Sequence, residues 1–118
     1  MKSLIPILLV FTLFTSCTFK SITRTKDLTY LESSSELPEK QLNIFAPKKA
    51  ENAPVLIFIH GGSWNKGRKE IYDFMGSRLA RRGVVTVIID YPLAPDYLVP
   101  AMEKASARSV QWVQENIA

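Results

Sequence analysis

Cysteine and histidine each occur once among the 118 residues. A lone cysteine, Cys17, forms no internal disulfide. One residue of each kind, with the cysteine in the leader, makes no zinc site, so neither a metal nor an organic cofactor is expected. Glycine is sparse as well, at five residues. The pair Gly61-Gly62 lacks the spacing of either nucleotide fingerprint, which excludes a phosphate-cradling loop. No long block of like charge is present: fifteen Lys and Arg stand against eleven Asp and Glu, for a net +4. The densest basic clusters (Lys48-Lys49, Lys66-Gly67-Arg68-Lys69 and Arg81-Arg82) fall at loops and at a helix end and read as solvated surface. A nucleic-acid face would need basic residues gathered with stacking aromatics on one surface, so nucleic acid is not an expected partner. Internal repeats are missing too. What remains is 47% hydrophobic and 22% charged, the composition of one packed domain.

The first segment stands outside that domain. Lys2 is followed by the apolar stretch Leu4 to Phe14, broken at Thr12, and then by Thr15-Ser16. This is the layout of a secretory signal over residues 1–16, too short to span a bilayer comfortably. Its end, Leu13-Phe14-Thr15-Ser16-Cys17, resembles a bacterial lipobox, with Phe14 where leucine is more usual. The resemblance implies a lipid on Cys17 and an exported, membrane-anchored lipoprotein facing the periplasm or the cell exterior. Several acyl chains anchor a protein stably where one does not. Residues 17–38, polar and rich in Ser, Thr and Glu, then read as tether and linker, with a short strand from Lys26 to Leu31.

The folded part is expected over 39–118. Leu42-Asn43-Ile44-Phe45 partly alternates and stops at Ala46-Pro47, which suits an edge strand. Val55 to Ile59 is a five-residue apolar run rich in β-branched side chains, as in a strand buried on both faces. A helical pattern begins near Lys69, with Ile71, Phe74, Met75 and Leu79 as its apolar stripe and Gly76 as a weak point. Arg81 and Arg82 favour its last turn, and Gly83 falls just past the cap. Val84 to Ile89 is a second buried strand. Asp90 to Pro100 is a proline-rich loop, and a second helix follows. Pro100 sits in the first turn of that helix. Met102, Ala105, Ser109, Val110, Val113 and Ile117 lie along one side, with Trp112 at the boundary. Strand, helix and strand make a βαβ unit of ordinary size, hence an α/β fold with a mostly parallel sheet and flanking helices.

His60-Gly61-Gly62-Ser63-Trp64 follows the first buried strand, where open parallel sheets place their chemistry. Adjacent glycines let the backbone turn tightly and bring bare N–H groups up to a ligand. Alone, Gly-Gly after a strand is an ordinary turn; the Trp64 and Gly67 spacing and the downstream segments point to a site. Attack on an ester carbonyl puts negative charge on its oxygen, and each preorganised donor is worth roughly 3–4 kcal/mol there. Gly62 and Ser63 are the best placed to aim amides at such an oxygen. His60 is expected to brace the loop through a hydrogen bond, and Trp64 by packing, with Gly61 completing the turn.

The motif followed by Lys66-Gly67 resembles the HGGxW oxyanion loop of α/β-hydrolase-fold carboxylesterases of the feruloyl-esterase-like and hormone-sensitive-lipase-like groups. Kynurenine formamidases lie nearby. Asp90-Tyr91-Pro92-Leu93-Ala94-Pro95 is similar to the Tyr-Arg-Leu-Ala-Pro segment of those groups, and Pro100 to Val113 to the helix that leads to their nucleophile strand. The similarity runs from about Leu42 to the last residue. Pro92 stands for their arginine, Ala105 for a common aspartate and Ser63 for a third glycine. The resemblance implies the N-terminal portion of an α/β-hydrolase fold, and as substrate a small ester such as an acylated carbohydrate. It also implies a Gly-x-Ser-x-Gly elbow, an acid and a catalytic histidine further along. None of these is in the sequence. Ser63 with His60 as base is not a substitute, since both lie on one loop with no strand-to-helix elbow. The expectation is therefore a fragment inactive alone; the other reading is a non-catalytic lipoprotein module that kept half a hydrolase fold.

Overall fold

The computed structural model describes residues 19–117; the expected signal segment and Cys17 lie outside the described residues. In chain order the elements are β1 (Ile22–Leu31), β2 (Lys40–Pro47), β3 (Val55–Ile59), a 3-10 turn at Lys69–Tyr72 running into α1 (Asp73–Arg81), β4 (Val85–Ile89) and α2 (Val99–Asn116). They form one four-stranded sheet in the order β1-β2-β4-β3. Among these strands only β3 and β4 pair in parallel, so the described sheet is mixed rather than mostly parallel.

Alternation along β4 sets the layers. Successive side chains of a strand point to opposite faces. Val87 and Ile89 pack with Tyr30, Leu42 and Val113, which puts α2 on one face. Ile88 packs with Phe45 and Ala80, which puts α1 on the other. With a helix on each face, all five residues of β4 are buried.

Three sequence expectations change at this level. The short strand expected from Lys26 to Leu31 is the second half of β1, which starts at Ile22 and pairs with β2 from Ile22↔Pro47 onward, so the sheet reaches back into the stretch expected as linker. Because β1 covers its outer edge, β2 is an interior strand with Leu42, Asn43 and Phe45 buried, not an edge strand. β3 has the expected bounds but is itself the edge: Val55, Leu56 and Ile59 are 39%, 38% and 46% exposed. Its composition suits burial; among the described residues only one neighbouring strand is there to provide it.

The stripe of α1 is also displaced. Its buried residues are Gly76 and Ala80, with Tyr72 packed on the same cluster, while Ile71 and Phe74 are exposed. Positions i, i+4 and i+8 form the contact face. A methyl group on Gly76 would run into the ring of Phe45, so this glycine is a close-approach point rather than a weakness. The helix ends as expected, at Gly83. The Gly83 amide donates to Ala80 O at 3.0 Å and the Val84 amide to Leu79 O at 3.1 Å, the two bonds of a Schellman motif. In α2 the buried side is Met102, Ala105, Ser109 and Val113, with Trp112 and Ile117 half-buried against the core; Val110 turns outward.

Candidate active site

The parallel register Ile59↔Ile89 determines which residues meet beyond the strand ends. One step further along each strand stand His60 and Asp90. His60 is buried at 2% exposure, its ring between Tyr91 (centroids 4.7 Å apart) and Tyr72 (6.2 Å). Its Nδ1 lies 2.9 Å from Gly61 O and, as the donor, closes the loop on itself. Its Nε2 lies 3.5 Å from Asp90 Oδ1, close enough for charge attraction, but it makes no hydrogen bond among the described residues. Tyr91 Oη donates to His60 O at 2.8 Å, so the residue is held by side chain and backbone alike. Burial disfavours the imidazolium, but Asp90, the Gly61 carbonyl and Glu70 outweigh it and raise the His60 pKa above its ordinary value.

Gly67 completes that cage. Its φ is +114°, and a Cβ there would lie 2.5 Å from His60 Nδ1. The glycine is thus required on both counts, backbone and space. Gly62 is required likewise: its φ is +137°, and a Cβ would collide with the carbonyl of Lys66. Ser63 and Trp64 follow at φ +54° and +59°. Left-handed geometry in non-glycine residues costs on the order of 1–3 kcal/mol each and clusters at functional sites. The conformation is retained by Asn65 and Lys66 amides donating to Gly62 O at 3.3 and 3.2 Å, and by the Ala94 amide donating to Trp64 O at 2.9 Å. Among the described residues the amides of Gly62 and Ser63 donate to nothing. The Trp64 side chain is 63% exposed, so packing by its ring does not hold the loop; its backbone carbonyl does.

Beyond the loop opens a cleft of about 590 Å³, of ordinary ligand-site size, lined by His60 to Trp64 and by Tyr91, Val99, Met102, Glu103 and Ser106. Gly61 has open space around the position of a Cβ. Of the three positions that depart from the resemblance, Ser63 is on the loop and Pro92 and Ala105 are buried. Pro92 is fully buried, and Ala105 packs with Tyr91 and Met102. The loop is supported by backbone bonds and by Tyr91.

The residue that sequence reasoning missed is Lys69. Taken as part of a solvated basic cluster, it is 3% exposed. Its Nζ lies 2.9 Å from Asp27 Oδ1 and 3.3 Å from Asp90 Oδ2, and pairs with Glu70. Its amide donates to Asp90 Oδ1 at 2.7 Å, so Asp90 caps the 3-10 turn as well as facing His60. Burial opposes the lysine charge, but Glu70, Asp27 and Asp90 raise its pKa well above the usual range. Burial opposes the Asp90 charge too; His60 and both Lys69 donors overcome it and lower that pKa.

Asp27 reaches this cluster through a break in β1. The register with β2 shifts between Thr25 and Leu28, and Asp27 adopts φ +58°. Bulges re-aim side chains in this way next to active sites. Buried Asn43 stabilises the bulge, accepting from the Asp27 amide at 3.0 Å and donating to Asp73 Oδ1 at 3.0 Å. On the far side, Tyr30 Oη donates to Asp90 O at 2.6 Å, and burial raises its pKa far above normal. The carboxylates converge on an ammonium, and among the described residues no group of three or more His, Cys, Asp or Glu is arranged to hold a metal ion. The signal in the sequence was slight: a charged residue, Asp90, directly after a run of apolar residues broken only by Thr86.

Residues 42–118 match the family model BD-FAE. The carboxylesterase NlhH of Mycobacterium tuberculosis is 33% identical over 73 residues, 61% of this chain and 23% of that protein. An arylesterase of Saccharolobus solfataricus is 31% identical over 93 residues, 78% of this chain and 29% of that protein. The crystal structure of esterase B from Lactobacillus rhamnosis superimposes with a TM-score of 0.70 at 25% identity, covering 80% of this chain and 30% of that one. The chain thus spans between a fifth and a third of the length of these relatives. With its matched segment extending over both βα loops that build the site, the chain belongs to the BD-FAE family and carries part of the α/β-hydrolase fold of carboxylesterases.

Proposed function

We propose that the loop His60 to Trp64 is the oxyanion-binding element of a serine carboxylic-ester hydrolase acting on small esters, acylated carbohydrates among them. One observation carries this reading. The Gly62 and Ser63 amides sit at positive φ beside the cleft with no partner among the described residues. Successive unpaired N–H groups in a turn make a concavity for negative charge. Such donors suit an oxygen that gains charge only in the transition state.

The nucleophile, the acid and the base are to be supplied from outside these residues. The 118 residues hold no Gly-x-Ser-x-Gly, and the one histidine is enclosed in the loop. The 118-residue chain alone is therefore expected not to turn over p-nitrophenyl acetate above background. A chain extended in frame through a Gly-x-Ser-x-Gly segment is expected to hydrolyse it. In that longer protein Gly62→Ala, which displaces the loop, should lower kcat by about 10²–10³-fold. Ser63→Ala keeps its amide and should change kcat only a few-fold. An in-frame continuation without such an elbow, or loss of all turnover with Ser63→Ala, would defeat the proposal. A lipid on Cys17, and hence a membrane-anchored exported enzyme, is the companion proposal. Mass spectrometry of the mature N-terminus tests it, and cleavage elsewhere or an unmodified Cys17 would refute it.

A further inference from the structure

The end of the sheet opposite the loop has a different chemistry. The pairing Ile22↔Pro47 and the start of β4 bring three segments together there: Phe19-Lys20, Lys48-Lys49 and Arg81-Arg82. Backbone bonds join them, Lys20 N to Arg81 O at 3.0 Å and Lys48 N to Ser21 O at 2.8 Å. All five cations are exposed, and none enters an ion pair among the described residues. Glu51 is the acid beside them, whereas Asp27, Glu70, Asp73 and Asp90 gather towards the site. Phe19, 65% exposed, stands next to Lys20.

We propose that this basic end, formed by Lys20, Lys48, Lys49, Arg81 and Arg82 with Phe19, docks on an anionic lipid bilayer and turns the cleft away from it. Charge complementarity carries the choice of partner. Clustered Lys and Arg within a Debye length of an anionic leaflet are each attracted to it, and an exposed aromatic ring suits the headgroup level. A single-stranded nucleic acid fits less well, because one Phe on a blunt strand-end surface offers no run of stacking platforms. The chain also reaches this end at Phe19, two residues after Cys17, so a lipid on Cys17 would emerge beside the same cations. The surface charge does not depend on that lipid.

The test uses the full chain and measures its partition into phosphatidylglycerol vesicles and into phosphatidylcholine vesicles. The leader contributes to both, so the ratio isolates the charge effect. The ratio is expected to exceed one at low salt and to fall towards one as salt rises. Lys48→Gln with Lys49→Gln should lower it by on the order of tenfold. Lys104→Gln with Arg108→Gln removes the same charge from α2, where both cations are ion-paired, and should lower it far less. Equal loss in both variants would mean that net charge alone acts, and would overturn the proposal. So would a ratio of one in the parent, or binding to single-stranded DNA with none to the vesicles. Failure of the ester-hydrolase reading leaves all these readouts unmoved.

Discussion

β3 and β4 lie side by side, five residues each, in parallel register, and are built from the same kinds of side chain. β4 has a strand on either side and a helix on each face, and every position is buried. Among the described residues β3 has one neighbour, and three of its five residues are exposed. Their ends differ in the same sense. Asp90 is held by Tyr30, Gln41 and Lys69, while the residues after His60 leave amides unpaired beside open space. A site needs both behaviours: a strand that fixes position and a neighbour whose loop stays available. The division of labour follows from place in the sheet rather than from composition.

The sharpest way to break this comparison is with the register partners Ile89 and Ile59, identical in type and 0% and 46% exposed. Ile89→Ala is expected to cost about 3–4 kcal/mol, and Ile59→Ala less than about 1, by urea denaturation followed by circular dichroism. Equal losses would show that β3 is buried in solution. Next in size is Lys69→Ala, at about 3 kcal/mol. That is the low end for removing one partner of a buried pair, because Asp27 and Glu70 stay hydrated. Gly76→Ala, which overpacks Phe45 on the α1 side, should cost about 2 kcal/mol. A neutral or stabilising result would mean that the helix gives way and that the Gly76 contact is not tight.

The smallest effects concern the pair that bridges the two strand ends. Asp90→Asn removes the charge that favours the His60 imidazolium, so the His60 pKa should fall, read from the imidazole resonances by NMR. The sign of the pH dependence follows from the direction of the His60 shift. The folded pKa is raised, so this contribution to stability is complete below the unfolded value near 6.5. It is lost as pH rises through the higher folded value. Asp90 acts in the opposite direction: its folded pKa is lowered, and its share is lost in acid as pH falls below its ordinary range. A His60 resonance that titrates identically in parent and Asp90→Asn would remove Asp90 from the brace.

Much of this was legible in the residues. The β3 bounds and the Gly83 cap follow from local chemistry, as do the apolar side of α2 and the turn at Gly61-Gly62, and local chemistry is written in adjacent positions. Whether β2 or β3 is the edge depends on where Ile22–Leu31 lands; its second half, from Lys26, reads as a strand in the sequence, but nothing local says which neighbour it pairs with. The stripe of α1 misled because exposed Ile71 and Phe74 keep helical spacing with Met75, while the true contact face runs through a glycine. Lys69 was hidden for the same reason. Its three acids come from a bulge in β1, the next residue and the end of β4, and only the folded sheet brings them together.

The chain's two tryptophans divide into two optical environments. Trp112 is half-buried against the core made by Leu42, Val87 and Val113, so its emission is shielded and reports on folding. Trp64 stands 63% exposed on the wall of the cleft, where a soluble quencher reaches it and an occupant of the cleft would cover it. The loop thus carries its own fluorophore, and acrylamide quenching resolved into two components would read cleft occupancy and unfolding separately in one unlabelled sample.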